Sequence, residues 1–590
     1  MSRRVAVLGA GVAGLTAAHE LVERGFEVTV YEARPGPGGK ARSINVASGT
    51  GQLHPAAGAG PTLPGEHGFR FIPGFYRHVP DTMARIPFAG NRRGVLDNLV
   101  LTREIHIAPN GAPATRILAG FPTGLREMLQ SARTVPDLLG LDVPANEWLY
   151  FADRLFQLLT SCPERRLAEY EGIPWWDFVN ADKMSPAYQR YLCVGLTRTL
   201  VAMRAETAST RTIGNTFLQL VLHGLDAEGN LDRVLNGPTN EVWIDPWVTH
   251  LRSLGVRFVY DARVTRIACE GQRITSVAAD IGGAPAVLDA DWYLCALPLE
   301  GLLPLLNAPL VRAAPALGHL DKLHVSWMNG IQIYLREDVP LARGHSNLVD
   351  SPWALTAISQ AQFWRRRPER YGTGEARGIL SIDISNWDAP GMLTGRPARE
   401  LDSAEQIFDE VLAQMRAAVG DLPGLRPENI VGWFLDPAIQ VRGGPGANGP
   451  ARLRGHGGSA VSNLEPLLIN TVDSWRHRPE AVTPIENLFL AGDYVRTFTD
   501  LATMEGANES ARRATNGLLA AAGVAAPRCA VWPLEEPRVF APFQALDARR
   551  FRAGQPWRHP LALRGRAAGP TAEGRSAGTS ADGRGVAPGV

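Results

Sequence analysis

The sequence has few cysteines and almost no lysine, and each shortage narrows the possible chemistry. Five cysteines are scattered over 590 residues without a Cys-x-x-Cys pair. This odd number argues against a disulfide scaffold and against a zinc site, so we expect buried small side chains and no metal site. The lysines are Lys40, Lys183 and Lys322, and arginine supplies the remaining positive charge. Any mechanism that needs a lysine amine therefore has three candidates.

A charge excess and long apolar runs are also missing. Acidic and basic residues nearly cancel at a net charge of +1, and the clustered basic face that a nucleic-acid partner would need is not seen. No uninterrupted apolar run reaches the roughly 20 residues of a membrane span, and no apolar leader precedes the first predicted strand. We expect a cytoplasmic protein that binds no nucleic acid, with peripheral membrane contact left open.

The stretch from residue 5 to residue 42 predicts a strand–helix–strand unit that binds a dinucleotide. An apolar run leads into Gly9-x-Gly11-x-x-Gly14, an amphipathic segment follows, and a second apolar run ends at Glu32. Gly9 allows the tight turn, Gly11 lets the backbone approach a pyrophosphate, and Gly14 lets the helix pack on the strand. The helix start offers free N–H groups to phosphates, and Glu32 would accept a hydrogen bond from a ribose hydroxyl. A structural glycine turn is the alternative.

The remaining pattern predicts a mixed α and β protein. Helical spacing interrupted by prolines over 125–225 predicts a block of separate helices. Alternating apolar residues predict strands between 256 and 297. A helix is expected over 403–419, with Asp402-Ser403 as its cap. The strand that ends at Pro298 is expected to return to the first unit.

The end of the chain changes composition. Residues 442–458 are rich in Gly and Arg and predict a loop. Five aromatic residues within 528–562 supply enough apolar surface to fold back on the body. Residues 563–590 have no aromatic residue and are expected to be disordered.

Three motifs in order resemble one family. They are Gly9 to Glu32 followed by Gly38-Gly39-Lys40-Ala-Arg42, then Glu66-His67-Gly68-Phe69-Arg70-Phe71, then Phe489-Leu-Ala-Gly492-Asp493 with Ala502-Thr-Met504-Glu505-Gly506-Ala507. Over most of residues 1–523 the chain resembles the FAD-dependent amine oxidase and carotenoid desaturase superfamily. The Gly-Lys pair and the Ala-Thr-Met-Glu-Gly sequence look more like phytoene and ζ-carotene desaturases and hydroxysqualene dehydroxylase.

The resemblance implies an α/β fold with a discontinuous, Rossmann-like FAD-binding domain, an inserted α+β substrate domain and a helical cap. The implied boundaries are 1–95, 236–300 and 475–523 for the FAD-binding domain, 96–235 and 301–474 for the substrate-binding domain, 524–562 for a C-terminal extension and 563–590 for a disordered tail.

The resemblance also implies FAD that is bound without a covalent link, since no cysteine lies between Cys295 and Cys529 to attach it. Val264 would contact the adenine end through its backbone. The implied cofactor-binding residues are Gly9, Gly11, Ala13, Gly14, Glu32, Ala33, Gly39, Lys40, Arg42, Gly68, Phe69, Arg70, Val264, Gly492, Asp493, Met504 and Ala507.

Two residues typical of monoamine oxidases are missing, and their absence favours the desaturase side of the superfamily. The resemblance implies that monoamine oxidases place a lysine on a substrate-domain strand, near the position of Gly330, and an aromatic residue where this chain has Thr503. We therefore expect a desaturase that moves a hydride from an allylic carbon of a hydrophobic isoprenoid or carotenoid-like substrate to flavin N5. A hydroxysqualene dehydroxylase, an amine oxidase that releases hydrogen peroxide and a flavin-binding protein without turnover stay open.

Catalytic residues are not evident from the sequence. His67, Arg70 and Tyr76 lie in the segment expected to flank the flavin. His67 could relay a proton and Arg70 could stabilise negative charge on the reduced flavin, but each could instead hold the loop or bind the cofactor. The electron acceptor, whether quinone, oxygen or a redox partner, is left open.

Overall fold

The computed structural model describes residues 3–111, 113–118, 142–195, 197–198, 202–224, 232–441 and 460–560. The expected loop over 442–458, the expected disordered tail over 563–590 and part of the expected helical block lie outside the described residues.

A five-stranded parallel sheet carries the first and last motifs. Its strands, in spatial order, are Arg257–Val259, Glu27–Tyr31, Arg4–Leu8, Trp292–Cys295 and Leu488–Leu490. The expected return of the chain is confirmed, because Trp292–Cys295 pairs directly with Arg4–Leu8. The helices Val12–Val22 and Met504–Ala521 pack against each other beside this sheet. The two ends of the chain therefore share one hydrophobic core.

Smaller elements surround the parallel sheet. Helix Asp245–Ser253 packs on Val12–Val22, and Trp243 and Trp247 are stacked and buried there. An antiparallel sheet contains Ala262–Glu270, Arg273–Ile281 and Ala284–Leu288. Four short helices are His78–Ala84, Leu299–Leu302, Ala308–Ala313 and Ser474–His477.

An eight-stranded mixed sheet forms a second layer. Its strands, in spatial order, are Gly51–Gln52, Ile430–Leu435, Asn329–Leu335, Gly378–Ile384, Leu355–Ser359, Ser346–Asn347, Glu104–Ile107 and Thr115–Leu118. Strand residues alternate between two faces. One face carries Ile331, Ile333 and Ile382, which share a core with the helix Ala404–Val419. Of the expected cap pair Asp402-Ser403, Ser403 caps this helix, since its hydroxyl accepts a hydrogen bond from the Gln406 N–H.

Short paired strands connect the two layers. They are Ser43–Ala47 with Thr62–Glu66, Phe71–Ile72 with Arg233–Leu235 and Leu99–Leu101, His324–Ser326 with Leu467–Ile469, and Ile439–Val441 with Val461–Asn463. The second motif begins at the end of Thr62–Glu66 and therefore lies between the layers.

A helical block and the C-terminal extension form the third part. The described helices of the block are Ala145–Thr160, Pro163–Ala168, Trp175–Phe178, Pro186–Tyr188 and Thr210–Gly224. Helix Ala541–Arg552 packs on the first two, where Asp547 accepts from the Cys162 N–H (2.9 Å) and from Arg165 Nε (3.0 Å). The extension thus folds back on the body.

All five cysteines are buried and free, as the composition predicts. Among the helices that the structure describes, none has the length and apolar character needed to cross a membrane.

Candidate active site

The glycine turn after the first strand leaves no room for a side chain at two of its positions. Gly9 has a φ of +105°, and a Cβ there would lie 2.9 Å from the carbonyl oxygen of Ala296. A Cβ on Gly14 would lie 1.9 Å from the carbonyl oxygen of Gly9. Gly11 precedes helix Val12–Val22, whose start has no side-chain cap and no acidic residue in its first turn. The N–H groups of this turn can therefore face an anion.

The Gly-Gly turn of the first motif folds onto this glycine turn. The N–H of Gly38 donates to the carbonyl of Ala10 (2.8 Å). Gly39 has a φ of +57°, and a Cβ there would lie 2.9 Å from the Cα of Gly11. The two backbone segments touch because glycines stand at both positions.

Basic side chains follow the Gly-Gly turn. Arg42 Nη1 lies 2.9 Å from Oε2 of the buried Glu465, and Arg34 pairs with the same carboxylate. Lys40 Nζ lies 2.9 Å from Glu300 Oε1. Burial, together with the nearby Arg34, lowers the pKa of Arg42 to about 10. Arg42 therefore stays cationic at neutral pH.

Glu32 connects the glycine turn to the strand that carries Val264. Its Oε2 accepts from the Ala10 N–H (2.8 Å), and its own N–H donates to the carbonyl of Val259 (2.9 Å). The N–H of Ala262 donates to the Glu32 carbonyl (2.8 Å), and this bond begins the strand of Val264. The acid and the valine thus lie on neighbouring segments.

The last motif begins where the fifth parallel strand ends. Gly492 has a φ of +148°, and its N–H donates to Ser510 Oγ (2.9 Å). The carbonyl of Asp493 accepts from Arg478 Nη2 (2.7 Å). Its carboxylate accepts no hydrogen bond from the part of the chain that the structure describes. This side chain is available to a ligand hydroxyl.

Glu505 joins the third motif to helix His78–Ala84, a role that the sequence did not assign to it. Its Oε1 accepts from the N–H groups of Arg77 and His78, both at 2.7 Å. Its Oε2 accepts from the N–H of Val79 (2.9 Å). The carboxylate thus caps helix His78–Ala84, where the backbone N–H groups lack partners. Thr503 caps Glu505's own helix.

Tyr76 is buried beside the third motif. Burial raises the pKa of its phenol, an effect that the neighbouring Thr503 opposes. The phenol therefore stays protonated at neutral pH, so Tyr76 is not suited to accept a proton. The neighbouring His78 is fixed between Glu505 Oε1 (2.7 Å from Nδ1) and the Trp532 N–H (3.0 Å from Nε2), which ties the C-terminal extension to this region.

His67 lies in a cluster of acids. Its Nδ1 is 2.5 Å from Oδ2 of Asp436 and 3.5 Å from Oε2 of Glu465. Asn329 also donates to Asp436 (2.6 Å). Burial by itself favours the neutral form of Asp436. The contact with His67 and the hydrogen bond from Asn329 oppose this effect and hold the pKa of Asp436 below its ordinary value. Asp436 is therefore a charged partner that fixes the His67 ring.

Arg70 links the second motif to the first. Its Nη2 donates to the carbonyl of Lys40 (3.0 Å) and lies 3.8 Å from Glu66 Oε2. Glu66 is buried and accepts from Thr239 N–H (2.8 Å) and from the hydroxyls of Thr239 (2.9 Å) and Ser43 (2.8 Å). Arg70 is thus held in place by partners in both motifs.

Gly330 lies where the second layer meets the second motif. Its N–H donates to the carbonyl of His67 (2.8 Å). A Cβ at this position would lie 2.9 Å from that carbonyl oxygen and 3.1 Å from the Cα of Gly68. A lysine side chain cannot be accommodated there without moving the backbone of the second motif.

The expected cofactor residues fall into two groups by exposure. The buried ones are Gly9, Ala13, Gly14, Glu32 and Gly492. The half-buried ones are Gly11, Ala33, Gly39, Lys40, Arg42, Gly68, Phe69, Arg70, Val264, Asp493, Met504 and Ala507.

These features fit the adenosine diphosphate and ribityl parts of FAD. An uncapped helix start with basic neighbours suits a pyrophosphate, and the carboxylates of Glu32 and Asp493 suit hydroxyl groups.

Sequence reasoning missed four acids of this region: Asp383, Asp436, Glu465 and Glu505, the last of which was noted in its motif without a role. No local pattern marks the first three, because they come from strands and loops distant in the chain that meet only in the fold.

Comparisons with known proteins agree with this geometry. The family model of flavin-containing amine oxidoreductases matches residues 12–519. A ζ-carotene desaturase of Synechocystis is 24% identical over 557 residues, which cover 88% of this chain and 97% of that protein. A Mycobacterium tuberculosis protein named as a flavin-containing monoamine oxidase, AofH, is 33% identical over 76% of this chain and 86% of its own length. The solved structure of a putrescine oxidase aligns with a TM-score of 0.53 at 17% identity, over 88% of this chain and 99% of that one, which shows the fold.

Proposed function

The chain belongs to the flavin-containing amine oxidoreductase family and is an FAD-dependent oxidoreductase, and from this premise we propose that it desaturates a hydrophobic, isoprenoid or carotenoid-like substrate. Bound FAD supplies the acceptor for a hydride. The protein positions the substrate and excludes water around it.

The close approach of Gly330 to His67 and Gly68 is the observation that carries this proposal. The resemblance places the lysine of monoamine oxidases near this position, and here the strand lies too close to the second motif for such a side chain. Lys40, one of the three lysines, forms an ion pair with Glu300 and does not replace the missing lysine.

The position before Met504 supports the same proposal. The resemblance places an aromatic wall of an amine cage there, whereas Thr503 uses its hydroxyl to accept from the N–H of Gly506 (3.1 Å). Without the lysine and this aromatic residue, an amine would lack the groups that orient it. The ζ-carotene desaturase of Synechocystis, which aligns over most of its length, is consistent with a hydrocarbon substrate.

We assign the cofactor contacts to the residues that the motifs bring together. The turn Gly9–Gly14, with Ala13 inside it, and Gly39, Lys40 and Arg42 would hold the pyrophosphate. The remaining contacts are proposed for Glu32 and Ala33 at the ribose, Val264 at the adenine, Gly68, Phe69 and Arg70 beside the ring, and Gly492, Asp493, Met504 and Ala507 along the ribityl chain and ring.

We also propose the domain division given by the resemblance. All five parallel strands come from 1–95, 236–300 and 475–523, which supports one FAD-binding unit made of separate stretches. The helical block has a buried apolar core, and partly buried apolar residues such as Leu155, Tyr191 and Phe217 pack against it, where an apolar substrate could be held. Peripheral contact with a membrane that supplies such a substrate remains part of the proposal.

A flavin amine oxidase is the second candidate, favoured by the 33% identity to AofH. It would need a different arrangement for binding the amine, because Gly330 and Thr503 do not supply the lysine and the aromatic wall.

Anaerobic reduction of the bound flavin separates the candidates. The FAD-loaded protein is mixed without oxygen with phytoene, ζ-carotene, hydroxysqualene and a panel of amines, and flavin absorbance is followed. Bleaching by a carotene supports desaturation, whereas bleaching by amines alone overturns it in favour of an amine oxidase. Removal of the hydroxyl group consumes a hydride, so return of the flavin absorbance when hydroxysqualene is added to the chemically reduced protein assigns the dehydroxylase reaction instead.

A further inference from the structure

Asp383 is a buried acid beside the second motif that has no assigned role. It lies on strand Gly378–Ile384 and is the register partner of Gly330 on the neighbouring strand. Its neighbours in sequence, Ile382 and Ile384, face the core of the second layer. Strand alternation therefore turns the carboxylate to the opposite face, toward the segment that carries His67 to Arg70.

Two glycines make the space for this carboxylate. A Cβ on Gly68 would lie 2.7 Å from Asp383 Oδ1, and a Cβ on Gly330 would lie 3.2 Å from the same atom. Any larger residue at either position would collide with the acid or displace it. The carboxylate is thus placed against the backbone of the second motif, at the segment proposed to flank the flavin ring.

The carboxylate of Asp383 does not stabilise the fold through hydrogen bonds, as the carboxylates of the neighbouring acids do. Its Oδ1 is buried and has no hydrogen-bond partner among the described residues, and its side chain is 5% exposed. Buried acids are usually satisfied, since an unpaired polar group costs free energy when it is removed from water. Glu66 and Glu505, by contrast, each accept several hydrogen bonds.

The charged groups around Asp383 come from two segments. Arg70 lies on the second motif and favours the ionised form. Asp436, which follows strand Ile430–Leu435 on the far side of the strand of Gly330, disfavours it. His67 faces Asp436 rather than Asp383. Burial is the largest effect and raises the pKa of Asp383 to about 7. Asp436, with its lowered pKa, stays ionised.

Two carboxylic acids with oppositely shifted pKa values in one site commonly divide acid–base work between them. Asp436 is held by His67 and Asn329 and, with its lowered pKa, stays charged at neutral pH. Asp383 is free to gain and lose a proton near neutral pH, which is the range that suits a general base.

Desaturation requires such a group. Loss of a hydride from one carbon leaves a proton to be removed from its neighbour, and a hydrocarbon offers no basic atom for it. We propose that the carboxylate of Asp383 accepts this proton. An O–H bond forms at Asp383 as the C–H bond breaks, and the C–H electron pair becomes the new double bond. The hydride, with its two electrons, goes to the oxidised FAD. This inference rests on the proposed function.

The test compares the FAD-loaded wild type with Asp383→Asn and Asp383→Glu. The matched control is Asp338→Asn, which removes a carboxylate that follows a strand of the same sheet and is bound by Ser359. Each protein is mixed anaerobically with ζ-carotene or phytoene in detergent micelles from pH 5.5 to 8.5, and the rate of flavin bleaching is recorded. The C=O stretch of a protonated carboxylic acid is followed by infrared difference spectroscopy over the same range.

We expect Asp383→Asn to keep FAD and its visible spectrum but to bleach about 100-fold more slowly or worse. The wild-type rate should rise with pH and level off near pH 7, and an infrared band that titrates in this range should be missing from Asp383→Asn. Asp338→Asn should match the wild type. If Asp383→Asn fails to take up FAD, the wild-type pH profile, the infrared titration and Asp383→Glu carry the test.

The outcomes separate this inference from the proposed function. Bleaching of Asp383→Asn at the wild-type rate, or a wild-type rate that is flat from pH 5.5 to 8.5, overturns the role of Asp383 and leaves desaturation standing. No bleaching of the wild type by any isoprenoid overturns both. Loss of rate in Asp383→Asn without an infrared band that titrates near pH 7 means that the residue positions others and is not the proton acceptor.

Discussion

Replacing Asp383 by asparagine should stabilise the protein, and the gain should grow with pH. The pKa of Asp383 is about 7 in the folded protein against an ordinary value of 3.8. The folded state therefore binds more protons than the unfolded state between these values, and the fold loses stability as pH rises through this range. At about 1.4 kcal/mol per pH unit, ionised Asp383 costs the fold roughly 4 kcal/mol above pH 7.

Asparagine keeps the shape and removes the titration. The variant should thus exceed the wild type in unfolding free energy by roughly 3 kcal/mol more at pH 8 than at pH 5, from the same slope. Urea unfolding of both FAD-loaded proteins, followed by tryptophan fluorescence, measures this difference at each pH. This unfolding measurement needs no substrate.

Asp232→Asn provides an internal standard. Burial raises the pKa of Asp232 to about 6, and its Oδ1 accepts from the Gly74 N–H (3.2 Å). Its pH-dependent gain should therefore level off about one pH unit earlier than that of Asp383→Asn. A stability difference for Asp383→Asn that stays constant from pH 5 to pH 8, or that shrinks as pH rises, would refute the reasoning.

Three further predictions concern the parts that hold the site together. Gly14→Ala should weaken FAD binding in a fluorescence titration, because the new Cβ would lie 1.9 Å from the carbonyl oxygen of Gly9. Overpacking of this kind costs roughly 1–3 kcal/mol. An unchanged affinity for FAD would contradict the tight turn. Glu505→Gln should lower the melting temperature, since an amide N–H₂ would face backbone N–H groups and leave a donor unpaired, which costs about 1–3 kcal/mol of stability. A melting temperature equal to that of the wild type would count against the cap. Asp547→Ala should speed limited proteolysis after residue 524, because the buried Arg165 loses the carboxylate partner that ties it to the extension and keeps the carboxylate of Glu169. A digestion pattern like that of the wild type would mean that the extension is held by other contacts.

The parts that the sequence predicts best are those with a local pattern. The glycine turn, the strand that returns at Trp292–Cys295 and the cap at Ser403 each depend on residues close together in the chain or on a simple alternation. Their physical causes, a positive φ, a buried apolar strand and a hydroxyl at a helix start, are visible without the fold.

The acids of the site could not be predicted, because their meaning lies in contacts across the fold. Asp383 is the one charged residue in a mostly apolar strand, and its importance comes from the two glycines, Gly68 and Gly330, that face it. Gly330 itself was noted as the place where a lysine was missing. That its backbone contacts His67 closely enough to exclude a side chain became visible only in three dimensions.

The most direct test of the proposed desaturation is the mass of the product. The FAD-loaded protein is incubated anaerobically with ζ-carotene or phytoene in stoichiometric amounts until the flavin bleaches, and the extracted hydrocarbon is analysed by mass spectrometry. We predict a product that is two hydrogen atoms lighter, has one more carbon–carbon double bond and has a longer conjugated system for each flavin reduced. Unchanged hydrocarbon, together with bleaching by an amine that is recovered as its imine or aldehyde, would contradict this account.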